Sequence, residues 1–148
     1  MCCSSTLSNF IVITDKKKVY RIHETTLSIE RIYGIEENDW LSCTCSDTYL
    51  YLTICETGSN IFQFKLLPLI RPVEQWQSPY SCKPHESIHA IQYNNRTLAL
   101  VIRESFGGVM NIELRPSSTL NQHWSLLLNI RSSGLWSRIS CCSLQYDE

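Results

Sequence analysis

Zinc accepts thiolate sulfur and imidazole nitrogen, and Cys82, His85 and His89 supply one of the first and two of the second in a C-x2-H-x3-H spacing. A structural site needs a fourth ligand, which would have to come from elsewhere in the chain. His89 also lies in a strand-like run (88–93, IHAIQY), where it should alternate with core residues. The expectation is therefore a connection carrying ordinary polar residues, with no metal or other cofactor; whether the trio binds a metal is a question the sequence does not answer.

Other candidate chemistry is thinner. Serine, histidine and acidic residues are present, but no G-x-S-x-G elbow or comparable context holds them, so no catalytic residue is assigned. Cys2 and Cys3 could be acylated near a membrane, yet no second anchoring signal accompanies them. Asn95-Arg96-Thr97 fits a glycosylation sequon, which matters only in a secreted chain. Lys16-Lys17-Lys18 reads as a solvated hairpin tip.

Composition bounds the function classes. With 43% hydrophobic and 18% charged residues the chain has the make-up of a globular protein with one sizeable core. A net charge of −1, from 13 basic and 14 acidic residues, gives no stripe for phosphates, which argues against a nucleic-acid partner. The start of the chain lacks the charged and apolar regions of a secretory signal, and no run suits a membrane span. The expected compartment is the cytoplasm, where the eight cysteines stay reduced. Cys43 and Cys45 alternate in one run, so both should face the core.

The elements that would position these residues are strands. Asn9–Thr14 (NFIVIT) and 18–22 (KVYRI) flank a turn, and 27–33 gives a third run. Trp40–Cys45, 49–55, 60–66 and 73–77 follow, with Gly58-Ser59 as a turn; 88–93, 97–103, 109–114 and 122–128 repeat that order, with Gly107-Gly108 at the equivalent turn. No segment of helical length has helical apolar spacing without a better strand reading, so the chain is read as all-β.

The two series also match residue by residue. Leu50, Leu52, Ile54, Glu56, Leu66, Pro68 and Trp76 recur 48 positions later as Leu98, Leu100, Ile102, Glu104, Leu114, Pro116 and Trp124. Ile61, Phe62 and Phe64 correspond to Val109, Met110 and Ile112. A period of about 20–50 residues marks units that bury their apolar faces against neighbours. The second strand of each unit is apolar on both faces, as an inner strand between neighbouring sheets requires. Trp76 and Trp124 are expected to cover the gaps between sheets.

Four short antiparallel strands per unit resemble the blades of β-propeller repeat proteins, the broad WD-repeat-like group, although Gly-His and Trp-Asp dipeptides are absent. The resemblance covers nearly the whole chain as a single domain, 1–148, with units at about 9–34, 40–77 and 88–128 and a further strand starting within 137–146. In this reading the first strand of the first unit is missing or displaced. About three blades fall short of the 4–8 of closed propellers, which points to an open or partial propeller, a piece of a longer one, or a ring completed by another copy. Such propellers more often scaffold partners than catalyse. The expected function is a non-enzymatic protein–protein interaction module with its partner surface on loops 35–39 and 78–86 and on exposed blade edges, which could also self-associate. The rival expectation is a propeller-fold enzyme or metal-binding protein using loop residues.

Overall fold

Runs rich in β-branched, aromatic and other apolar residues, punctuated by Asn, Asp, Gly and Ser, build most of the described strands. The computed structural model describes residues 2–4, 9–14, 17–54, 56–66, 69–77, 80–105 and 108–128. Among them there are strands and turns and no helix: β1 (Cys2–Ser4), β2 (Asn9–Thr14), β3 (Lys18–His23), β4 (Ile29–Arg31), β5 (Trp40–Cys45), β6 (Tyr49–Ile54), β7 (Ile61–Lys65), β8 (Arg71–Trp76), β9 (Glu86–Asn94), β10 (Thr97–Glu104), β11 (Met110–Pro116) and β12 (Trp124–Leu128). They form three antiparallel sheets of four consecutive strands each, β1 to β4, β5 to β8 and β9 to β12.

The first sheet corrects the expectation that its first strand is missing. Cys2–Ser4 pairs with β2 in the register Cys2 to Ile11, Cys3 to Phe10 and Ser4 to Asn9. A three-residue strand is too short to show alternation in sequence, and it becomes legible only through its partner. The further strand expected within 137–146 lies outside the described residues, as do Lys16, Pro68 and Gly107.

Period-two alternation divides the core into layers. Leu50, Leu52 and Ile54 point from β6 toward the first sheet, where Ile11, Val19 and Ile35 complete a buried cluster. Cys43 belongs to that cluster and Cys45 packs against it, both on the same face of β5. The other face of β6 presents Tyr51, which joins Ile61 and Trp76 against Leu98, Leu100 and Ile102 of β10. Hydrogen bonds tie the second and third sheets directly: Ser42 Oγ accepts from Ile91 N at 3.3 Å and Thr44 Oγ1 from Tyr93 N at 2.8 Å. In both junctions the first strand of one sheet rests on the first two strands of the sheet before it.

Register reveals where the sequence echo holds. β5 pairs with β6 through Cys45 to Leu50 and Cys43 to Leu52; β9 pairs with β10 through Tyr93 to Leu98 and Ile91 to Leu100, each position moved by 48. The ladders even break at matching points, passing over Leu41 in one and His89 in the other. In the third strands the match shifts. Leu50 pairs with Phe64, whereas Leu98 pairs with Arg115, 51 positions beyond Phe64. Because side chains alternate, a slip of three turns the aligned residues over. Phe62 and Phe64 pack toward the first sheet, but Met110 and Ile112 pack with Val101 and Ala90 on the face turned away from the second sheet.

The two repeated tryptophans part for a related reason. Trp76 is 8% exposed between the second and third sheets, as expected. Trp124 pairs with Leu114 on the face of the third sheet that points away from the second, and it is 45% exposed. It does not cover a gap between described sheets, because no described sheet follows the third.

Candidate functional site

The connection from β8 to β9 carries the residues with the richest chemistry. After Trp76 the chain turns through Tyr80 and Ser81, whose N–H groups both bond to Gln77 O, and enters β9 at Glu86. Gly58 N donates to Glu86 O at 2.7 Å, so the β6–β7 turn clamps the connection from the other side. Gly58 holds φ of 68°, a left-handed conformation that glycine adopts without strain.

Cys82, His85 and His89 do not converge there. Cys82 is 1% exposed, and its sulfur lies 3.5 Å from Ser59 O and 3.4 Å from Glu86 O, positions suited to a thiol S–H donor. Burial, followed by the negative charge of Glu86, pushes its pKa up to about 11. His89 sits at the break in the β9 ladder. His85 is exposed and meets two carboxylates, those of Glu86 and Glu104, with all three ligand atoms within 4.8 Å of one another. The C-x2-H-x3-H spacing names His85, whereas the carboxylates beside it come from the start of β9 and the end of β10.

Beside this connection lies a buried ion pair that charge counting in sequence did not single out. Arg115 Nε donates to Glu113 Oε2 at 2.9 Å, and Nη2 donates to the same oxygen. Its Nη1 holds Ser81 O at 2.9 Å and also bonds Tyr80 O. Both residues are 6% exposed, so the guanidinium works as a clip that fixes the path of the connection. The loop expected to serve partners at 78–86 is thus largely anchored. Residues 78 and 79 lie outside the described residues, and of those described Tyr80 is the exposed large apolar side chain. Loop 35–39 is anchored as well, with Ile35 buried and Trp40 Nε1 donating to Glu36 O at 3.2 Å.

A groove of about 320 Å³ opens at the same junction on the rim formed by the β5–β6, β9–β10 and β11–β12 turns. Tyr49, Tyr51, Tyr93 and Gln63 line it together with Arg96 and Ser117. Tyr51 and Tyr93 stack with ring centroids 5.9 Å apart, and Gln63 Nε2 donates to the Tyr51 hydroxyl at 3.2 Å. Burial raises the Tyr51 pKa. The groove displays polar groups over an aromatic floor that is committed to packing. Asn95 and Arg96, the two-residue turn between β9 and β10, both have positive φ, and the sequon asparagine is exposed at that tip.

Exposed apolar surface has a clear location. The large apolar side chains exposed among the described residues are Leu27, Ile29, Tyr33, Leu69, Val73, Tyr80, Trp124, Leu126 and Leu127. All but Tyr80, which sits in the β8–β9 connection, lie in or beside the fourth strand of their sheet, β4, β8 or β12. Those strands stand at the edges of their sheets and, among the described residues, have no strand paired along one side. Arg31 lies over the Tyr33 ring, its guanidinium carbon 5.3 Å from the centroid. Among the described residues, no helix is long and apolar enough to cross a membrane. No family model, no curated protein and no solved structure matches the chain.

Proposed function

We propose that this protein is a non-enzymatic protein-interaction module of β-propeller type, open or partial, whose sheets are successive blades and whose partner surface runs along their fourth strands. The observation that carries this reading is that, among the described residues, eight of the nine exposed large apolar side chains gather on β4, β8, β12 and their flanks. Apolar residues on edge strands that no described strand covers suit a partner that adds an extended segment or lays an apolar face across the edge. The blade reading draws support from the common strand order, the shared first-strand contact at both sheet junctions and the matching ladder breaks at Leu41 and His89.

The test is a triple variant, Ile29→Lys, Val73→Lys and Leu126→Lys, compared with a control carrying Asp47→Lys and Thr48→Lys in the β5–β6 turn. Both variants should keep a cooperative melt. Quantitative affinity enrichment should then lose a partner with the triple variant and retain it with the control. Equal recovery with both would overturn the assignment of the surface.

A further inference from the structure

Glu86, the first residue of β9, stands directly opposite Glu104, the last residue of β10. Like charges facing each other across a ladder are unfavourable, and here one of the two residues, Glu86, is only 6% exposed. His85 brings an imidazole to the same point, and its carbonyl accepts from Ser105 N at 2.8 Å, which holds it against the end of β10. The Gly58 N–H bond to Glu86 O fixes the backbone on the other side. The three potential ligands thus come from two paired strand ends locked to each other, a more rigid support than a free loop.

We propose that His85, Glu86 and Glu104 form a binding site for a divalent transition-metal ion of the zinc type. One imidazole and two carboxylates make a three-ligand set that leaves a coordination position for water. Hard all-oxygen preferences argue against calcium or magnesium as the natural occupant. Ligand atoms around a tetrahedral ion lie about 3.3 Å apart, given metal–ligand distances near 2.0 Å. The observed atoms lie within 4.8 Å of one another, and side-chain rotation of exposed His85 and half-buried Glu104 can close that difference. Cys82 and His89, the other members of the spacing that first suggested zinc, are not ligands.

One competing cation is already present. Lys83 Nζ lies 3.1 Å from Glu86 Oε1, and its backbone N–H donates to Oε2 at 2.9 Å. The Lys83 side chain is 64% exposed, so its ammonium can swing into water when the ion arrives. Lysine therefore acts as an internal competitor, and removing it strengthens metal binding. This site stands apart from the apolar fourth strands and does not depend on them.

Cobalt(II) substitution with titration of the reduced full chain tests the site, because thiolate ligation announces itself by a near-ultraviolet charge-transfer band that nitrogen and oxygen ligands do not give. Expected are one equivalent bound without that band, affinity lowered about tenfold or more by His85→Ala and by Glu104→Gln, and no change with Cys82→Ser. Lys83→Ala should tighten binding several-fold, a result that a purely structural role for these residues would not produce. Binding that carries the thiolate band, or that is unmoved by His85→Ala, Glu104→Gln and Lys83→Ala, overturns the proposal.

Discussion

Leu98 on β10 faces Arg115 on β11, at the place where Leu50 on β6 faces Phe64 on β7. Likewise Leu100 faces Glu113 where Leu52 faces Phe62. A buried ion pair thus replaces a pair of phenylalanines on the same face of consecutive sheets. Arg115→Met should destabilise the protein by about 3–5 kcal/mol, since Glu113 is left as an unpaired buried charge. The double variant Glu113→Leu with Arg115→Met should recover much of that loss. Urea unfolding of the single and double variants checks both expectations.

Trp76 and Trp124 repeat in sequence but not in burial. Trp76→Ala should cost about 3–5 kcal/mol through the cavity it opens between the second and third sheets. Trp124→Ala should cost no more than about 1 kcal/mol, because that ring is 45% exposed. Thermal melts of the two variants measure the contrast directly.

Gly34 allows the chain to pass close to β8. A Cβ at this position would lie 2.3 Å from Ile70 O, a backbone atom with little freedom to yield. Gly34→Ala should therefore destabilise by about 1–3 kcal/mol by forcing the two segments apart. A comparable loss is not expected from alanine at exposed Glu36 nearby, which serves as the control in the same melt.

Cys82 makes stability sensitive to alkaline pH. Its folded pKa is raised, so the folded state holds the proton more tightly and the stabilisation is complete below the unfolded value of 9.0. It is lost as pH rises from there toward about 11, to the extent of about 2 kcal/mol. Tyr51, whose pKa burial also raises, adds loss in the same direction. Denaturant midpoints followed from pH 8 to 11 should fall for the native chain and fall less steeply for Cys82→Ala.

Much of the fold was legible because alternation marks strands locally. Leu50, Leu52 and Ile54 on one side of Tyr51 identify a strand buried on both faces without any knowledge of its neighbours. The pairing of β10 with β11 was not legible in the same way. Met110 and Ile112 look like Phe62 and Phe64 when aligned, yet the longer β10–β11 ladder moves the register by three and reverses their faces. The first strand escaped notice since three residues carry no period. At the cluster proposed to bind metal, sequence spacing named His85 but not Glu104, whose place opposite Glu86 depends on hairpin register. The Arg115 clip was hidden for the same reason, as its partners Tyr80 and Ser81 are some 34 positions away.

In the proposed function, partners engage the fourth strands of the sheets. A photo-crosslinking side chain placed at Val73 or Leu126, and for comparison at exposed Thr48 in the β5–β6 turn, tests this. A discrete protein adduct is expected from the two fourth-strand positions and none from Thr48. Adducts of equal yield from all three positions, or an adduct from Thr48 alone, would contradict it.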